Sequence, residues 1–117
     1  MTLPKANLWI DDERPAPEGW VHLKDAATAI CWLAINLDRT EHISFDHDLG
    51  PPEAGTGYDI VCWLEEQVMT NLTITDVPRL SVHSANPVGR GRMEAAINNI
   101  ERAMMYRDQE GVDHEEC

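Results

Sequence analysis

The stretch Ile43-Ser44-Phe45-Asp46-His47-Asp48 decides the fold of this chain, because an apolar strand pattern gives way there to charged residues. Short apolar runs with clear boundaries are typical of buried strands. The run Ala6-Asn7-Leu8-Trp9-Ile10 ends in the same way, at Asp11-Asp12. A further run, Arg79-Leu80-Ser81-Val82-His83, ends at polar residues. We therefore predict three strands that carry polar side chains at their carboxyl ends.

Helical patterns alternate with these strands. Apolar residues recur at helical spacing within residues 26–37 and 59–69, and again from Asn86-Pro87 to Met104. A weaker strand at Trp20–Leu23 brings the prediction to about four strands and three helices. Since strands that alternate with helices form a mostly parallel sheet, the predicted fold class is α/β.

Two elements of a full doubly wound domain are not found in this pattern. Only nine residues, Asp11 to Gly19, join the first two strands, whereas a crossover helix between parallel strands needs about a dozen or more. No apolar strand follows the last helix. We therefore expect a domain that lacks its first helix and its fifth strand.

The alternation within the strands predicts two unlike sheet faces. Leu8, Ile10, Ile43 and Phe45 share an apolar face, where we expect the helices to pack, and the other face is mixed and polar. The last helix or a partner subunit would cover the polar face, or it would be covered only partly, which leaves a homodimer open. The four tryptophans, at positions 9, 20, 32 and 63, are predicted to belong to the core.

The length of the chain and its net charge predict a single acidic domain. The 117 residues carry nine basic and 21 acidic side chains, a net charge of −12. This excess excludes wrapping of an extended nucleic-acid duplex, because basic residues must replace the phosphate counterions there. We expect a domain over residues 1–107 and a flexible acidic tail over 108–117.

Localisation follows from what the chain lacks. No apolar run reaches the 18 or more residues that a membrane span requires, and the first residues do not resemble a secretory signal. Cys31 and Cys62 lie in apolar helical patterns and are predicted to be small core residues. A reducing cytoplasm suits such unpaired thiols.

Acidic residues follow the first and third strands. Ligands of open parallel sheets bind beyond the carboxyl ends of the strands, and neighbouring strands lie only about 4.8 Å apart. If these strands are adjacent, the carboxylates of Asp11, Asp12, Asp46 and Asp48 crowd together and need protons, a basic partner or a divalent cation. Such oxygen ligands suit Mg²⁺ or Mn²⁺, and the nearby histidines also allow Mn²⁺ or Zn²⁺.

An anion-binding wall is predicted beside these acids. Asn86-Pro87 begins a helix whose free N–H groups would face the same edge. Gly89 and Gly91 would permit close approach, and Arg90 and Arg92 could contact phosphate oxygens. Each feature also has a purely structural interpretation, as a turn former, a hydrogen-bonded histidine or a solvated arginine; three strand ends that converge favour a site.

Four blocks of the chain belong together: Leu8-Trp9-Ile10-Asp11-Asp12-Glu13-Arg14-Pro15, Ile43-Ser44-Phe45-Asp46-His47-Asp48-Leu49-Gly50, Gly57-Tyr58-Asp59 and Val82-His83-Ser84-Ala85-Asn86-Pro87-Val88-Gly89. They resemble the cyclic-phosphate processing receiver domain family, a divergent branch of the response-regulator receivers of bacteria and phages. The likeness runs from about Leu8 to Met104. It implies a reduced receiver-like (flavodoxin-like) fold.

The resemblance also implies roles for single residues. Asp11 and Asp12 look like the acidic pair that holds Mg²⁺, and Asp46 looks like the phosphate-accepting aspartate. Asp48 takes the position whose backbone carbonyl binds the metal in receivers, and Ser84 looks like the hydroxyl residue that reads the phosphoryl group. The lysine of the receivers' fifth strand is absent, and His47 and His83 are additions, so a simple phosphorelay switch is not expected.

The leading functional hypothesis is a metal-assisted hydrolase of a cyclic phosphate, such as a 2′,3′-cyclic RNA end or a cyclic nucleotide. His47 and His83, beside Asp46, would transfer protons. Ser84, Asn86, Arg90 and Arg92 would hold the phosphate. The alternatives are a non-catalytic binder of a phosphorylated or cyclic nucleotide ligand, an acidic protein-interaction module of receiver descent, and a phosphate-accepting receiver.

Overall fold

A computed structural model describes residues 4–116, with side chains over residues 4–107. The described chain forms four strands and three helices, with short 3₁₀ turns at Leu37–Arg39 and Pro52–Ala54. In chain order they are β1 (Ala6–Ile10), β2 (Val21–Leu23), α1 (Ala26–Asn36), β3 (Thr40–Phe45), α2 (Gly57–Thr70), β4 (Arg79–Val82) and α3 (Pro87–Glu116).

The four strands form one parallel sheet in the order β2-β1-β3-β4. This is the flavodoxin-like strand order without its fifth strand, so the predicted reduced α/β fold is confirmed. The segment 11–20 joins β1 to the parallel β2 without a helix. Its two prolines and Gly19, which adopts a φ of 85°, suit this tight irregular connection.

All three helices contribute to one core on the apolar face of the sheet. Leu8, Ile10, Ile43 and Phe45 are completely buried there, against apolar residues of α1, α2 and α3. The first part of α3 belongs to this same core through Met93, Ala96, Ile97 and Ile100. The described part of α3 therefore does not cover the polar face, which removes one of the three arrangements considered for that face.

The polar face carries its own aromatic side chains. The rings of Trp9 and His83 stack with centroids 3.8 Å apart and an angle of 2° between their planes. Trp20 packs edge-on against Trp9 at 6.1 Å and against His42 at 5.1 Å. These rings are half-buried. The prediction of core positions is therefore wrong for these two tryptophans, which cover the polar face, whereas Trp32 and Trp63 do pack against the core.

Local sequence explains where the helices begin. Asp25 caps α1 by accepting a hydrogen bond from the Thr28 N–H at 2.8 Å. Thr56 and Asp59 form a reciprocal capping box that starts α2 at Gly57, two residues before the predicted position. Cys31 lies on the exposed side of α1, so its predicted core position is wrong. The buried residues of that helix are Ala26, Ala29 and Leu33.

Helix α3 extends to Glu116 and so includes most of the segment predicted to be an acidic tail. The flexibility of residues 108–117 stays a prediction, since their side chains lie outside the described part and Cys117 lies beyond it. Within the described residues, none of the helices combines the length and the hydropathy needed to cross a bilayer.

Candidate functional site

An acidic cleft opens where β1, β3 and β4 end. Its volume is about 270 Å³. The lining residues come from the three segments that follow these strands: Asp11, Asp12, Glu13, Arg14, Asp46, Asp48, Gly50, Ala85 and Asn86. A larger groove of about 560 Å³ lies at the amino ends of the strands. Only the smaller cleft joins clustered carboxylates to a ligand-binding sheet edge, so the chemistry points there.

Three of the four aspartates predicted to crowd together form a close cluster; the fourth, Asp48, lines the cleft but is not part of that cluster. One carboxylate oxygen each from Asp11, Asp12 and Asp46 lies within 4.8 Å of the others. Asp11 is completely buried, and Asp12 and Asp46 are half-buried. The parallel pairing of β1 with β3 produces this closeness, because it sets Ile10 beside Phe45 and so brings the next residues together.

Asp11 is held by hydrogen bonds on both carboxylate oxygens. Oδ1 accepts from the backbone N–H of Glu13 at 2.8 Å and of Arg14 at 2.9 Å, and Oδ2 lies 3.0 Å from His83 Nε2. Burial by itself would raise the pKa of Asp11. The two backbone donors and His83 outweigh that effect, so its pKa lies below the ordinary value and the carboxylate stays charged.

Asp46 is oriented by the backbone around it. Its N–H donates to the Ile10 carbonyl at 2.8 Å, and its Oδ1 accepts from the His47 N–H at 2.8 Å. The first residue of α2, Gly57, packs directly on the Asp46 carbonyl, and a Cβ at position 57 would overlap it. A glycine is therefore required where α2 meets the strand end.

His47 and Asp48 form a pair at the rim of the cleft. His47 Nδ1 lies 3.0 Å from Asp48 Oδ1. The hydrogen bond from His47 is the main cause that lowers the pKa of Asp48, and it outweighs a small opposite effect of burial. The His47 ring rests on Gly89 of α3, where a Cβ would overlap it. Asp48 lines the cleft, whereas His47 is not among the residues that line it.

His83 lies beside the cleft and does not line it. Its Nε2 contacts Asp11 Oδ2, and its Nδ1 lies 2.8 Å from Ser44 Oγ. The side chain is 15% exposed, and one face of its ring is covered by Trp9. Both ring nitrogens therefore already have protein partners. The two histidines expected to transfer protons thus differ in their surroundings, and their catalytic roles stay predictions.

The start of α3 is capped more fully than the sequence suggested. Asn86 Oδ1 accepts from the Gly89 N–H at 3.1 Å, and Pro87 has no N–H, so fewer donors are free for an anion. Ser84 is buried, and its Oγ accepts from the Asn86 N–H at 3.1 Å. Of these residues Asn86 lines the cleft, where its Nδ2 lies 3.4 Å from Asp48 Oδ2.

Arg90 and Arg92 are exposed on α3, and neither is among the residues that line the cleft. Arg90 Nε lies 3.6 Å from Glu94 Oε1, one turn further along the helix. A Cβ on Gly91 would meet nothing within 4 Å, so no close approach depends on that glycine. The structure thus leaves the phosphate contact of these two arginines as a prediction.

Sequence reasoning missed Arg14, the one cation among the described residues that line the cleft. Its Nη1 donates to the His83 carbonyl at 3.0 Å, and its carbonyl accepts from Trp9 Nε1 at 3.1 Å. The signal was its position directly after Asp11-Asp12-Glu13, at the end of the first strand. A guanidinium has five donors, so several remain for a ligand.

The donor set fits a divalent cation. Five of the nine lining residues are acidic, against the single Arg14. Carboxylate oxygens are the ligands of Mg²⁺ and Mn²⁺. Asp12 and Asp46 are the better placed ligands, because the oxygens of Asp11 already accept three hydrogen bonds. Clustered carboxylates without such an ion would repel one another.

Comparison with known proteins agrees with this geometry. The model of the cyclic-phosphate processing receiver domain matches residues 6–99. Searches of curated proteins and of solved structures gave no match. The matched range includes all four strands and every residue that lines the cleft. The chain therefore belongs to the cyclic-phosphate processing receiver domain family.

Proposed function

We propose that this protein hydrolyses a cyclic phosphate with the help of a divalent metal ion bound in the acidic cleft. One observation carries the proposal: Asp11, Asp12 and Asp46 place carboxylate oxygens within 4.8 Å of one another beside Arg14, in a chain of this family. The substrate would be a small phosphorylated ligand or a 2′,3′-cyclic RNA end. A cytoplasmic location belongs to the same proposal.

The aspartates would bind the metal ion, and Arg14 would bind the phosphate of the substrate. Asp12 and Asp46 would hold the metal together with Asp11, with Asp48 near them. Arg14 supplies positive charge to phosphate oxygens through its free N–H groups, and Asn86 offers a further donor at the opposite wall. Ser84, Arg90 and Arg92 keep the phosphate-binding roles proposed for them only if the substrate extends toward α3. A bound Mg²⁺ or Mn²⁺ would polarise the phosphate and lower the pKa of water.

Ring opening needs one base and one acid. Water attacks phosphorus, the bond from phosphorus to one ring oxygen breaks, and that oxygen leaves with a proton as a hydroxyl group. The Asp48 carboxylate can only accept, so His47 donates Nδ1–H to it and keeps the Nε2 lone pair for a proton. We assign both transfers to His47, whose Nε2 takes a proton from the attacking water and then gives it to the departing ring oxygen, because both ring nitrogens of His83 are engaged.

The metal part of the proposal is tested by calorimetry. We expect saturable binding of Mn²⁺ to the wild type and its loss in Asp46→Asn, because that change removes one of the clustered charges. Asp76→Asn is the matched control: it makes the same charge change in an exposed loop residue at the other end of the sheet. Wild-type protein without Mn²⁺ or Mg²⁺ binding would contradict the proposal.

Turnover is measured on a panel of 2′,3′-cyclic and 3′,5′-cyclic nucleotides by phosphate-ester product analysis. We expect a metal-dependent linear product with the wild type and none with Asp46→Asn. A pH profile that changes in His47→Gln would support the proton-transfer role of His47. Metal binding without turnover on any cyclic phosphate would reject hydrolysis.

A second candidate function is binding of a phosphorylated or cyclic nucleotide ligand without turnover. It is favoured by the engagement of both ring nitrogens of His83, which leaves fewer groups free for proton transfer. It predicts tight ligand binding that does not need a metal, and an unchanged ligand after incubation. An interaction module of receiver descent would bind neither metal nor ligand, and a phosphate-accepting receiver would be labelled on Asp46 by acetyl phosphate.

A further inference from the structure

We infer that His83 is a positioning residue, which sets the geometry of the cleft through Asp11 and Arg14 and does not itself exchange protons with the substrate. The inference deepens the proposed function and rests on it for the identity of the bound metal and phosphate. Its basis is a chain of contacts that joins the polar face of the sheet to the acidic cleft, from Ser44 through His83 to Asp11.

The partners of the ring determine how its protons are arranged. The ionised Asp11 carboxylate can only accept, so His83 donates Nε2–H to it. In the neutral ring Nδ1 is then an acceptor, and the Ser44 hydroxyl donates to it at 2.8 Å. The orientation of the imidazole is thus fixed from both sides, as in sites where a second partner orients a functional histidine.

Packing holds the same orientation. Ser44 is 6% exposed and lies on β3, between β1, which carries Trp9, and β4, which His83 directly follows. Its small side chain leaves room for the two rings to meet above it, stacked at 3.8 Å. A larger residue at position 44 would separate them. The ring therefore has little freedom to turn toward a substrate.

The effect of His83 reaches the cleft along two routes. Its side chain holds Asp11, whose Oδ1 in turn accepts from the backbone N–H groups of Glu13 and Arg14. Its backbone carbonyl accepts from Arg14 Nη1 at 3.0 Å. Asp11, at the start of the segment that follows β1, and the Arg14 guanidinium, which lines the cleft, are therefore both held by residue 83. Loss of the ring hydrogen bond should loosen Asp11, the loop and the acidic cluster together.

Two variants separate positioning from proton transfer. His83→Gln keeps an N–H at the position of Nε2 and can still donate to Asp11, whereas His83→Phe keeps a stacking ring without a donor. His42→Phe is the matched control, because it makes the same change on the same sheet face at a residue that contacts Ser81 instead of Asp11.

The first measurement is amide hydrogen exchange by NMR in metal-free protein. We expect faster exchange at Glu13 and Arg14 in His83→Phe and rates near those of the wild type in His83→Gln and His42→Phe. The second is calorimetry with Mn²⁺ alone, where loss of an outer partner typically weakens affinity by about 10–100-fold. We expect that loss in His83→Phe and a change of only a few-fold in His83→Gln.

Two outcomes would overturn the inference. One is wild-type exchange and Mn²⁺ affinity in His83→Phe; the other is a His83→Gln protein with normal Mn²⁺ affinity that has lost all turnover, as a proton-transfer residue would show. Wild-type protein that binds no Mn²⁺ would instead reject the proposed function. Exchange at Glu13 and Arg14 would still decide whether His83 positions the loop.

Discussion

Asp11 shows how one carboxylate can be completely buried and still be kept charged. Its burial is opposed by two backbone donors and one histidine, and hydrogen bonds to a charged group contribute roughly 1.5–3 kcal/mol each. The sequence predicted the acid and its place at a strand end. It could not predict the histidine donor, because His83 and Asp11 are 72 residues apart and meet only in the folded sheet.

His42 provides a pH-dependent contribution to stability away from the cleft. Burial is the main cause that lowers its pKa from the ordinary 6.5; Arg79 lowers it further, and Glu41 opposes this. Below about pH 6.5 the unfolded chain therefore binds a proton that the folded chain refuses. The free energy of unfolding should fall as the pH drops through this window, and this contribution levels off below the folded pKa.

The measurement is urea unfolding of wild type and His42→Gln between pH 5 and pH 8. The difference between the two proteins cancels the other titrating groups and isolates residue 42. We expect the wild type to lose stability relative to the variant on acidification. A difference that does not depend on pH would show that the folded protein binds this proton as readily as the unfolded chain.

At the scale of secondary-structure elements, the first turns of α2 and α3 pack against residues of the site, Asp46 and His47. The capping box of α2 was readable in the sequence as Thr56 followed three residues later by Asp59. The close approaches were not, since a glycine in the sequence does not reveal its neighbour. The His47 ring packs against the backbone of Gly89, whereas Gly91, two residues further along the same helix, faces open space.

This contrast predicts opposite effects for the same substitution in one helix. Gly91→Ala should raise the free energy of unfolding by about 0.5–1 kcal/mol, because alanine is the better helix former. Gly89→Ala should lower it by about 1–3 kcal/mol, because the new methyl group overlaps the His47 ring. Thermal unfolding of both variants checks the prediction. Equal shifts of the same sign would mean that the ring moves aside freely.

At the scale of the whole molecule, one side chain joins α3 to the far end of α2. Arg107 donates to the Val68 carbonyl and to the Ile74 carbonyl, both at 2.6 Å. Arg107→Ala should cost about 3 kcal/mol of stability, since two charge-assisted hydrogen bonds are lost and both carbonyls lose a partner.

Arg102→Ala is the control for this prediction, as it removes an exposed arginine of the same helix. Surface changes of that kind usually stay within about 0.5 kcal/mol. Guanidinium unfolding curves of the two variants give the comparison. Similar stabilities would show that α3 is held by its apolar residues alone.

The sequence by itself determined the parallel α/β fold, the missing first helix and the gathering of acids at one edge. These follow from periodicity, loop length and the rule that parallel strands end on the same side. Only the tertiary structure decided which polar groups share that edge. Arg14 lines the cleft, whereas Arg90 and Arg92 do not. The reason is that packing against the sheet decides which side of α3 faces the cleft and which path the segment after β1 takes.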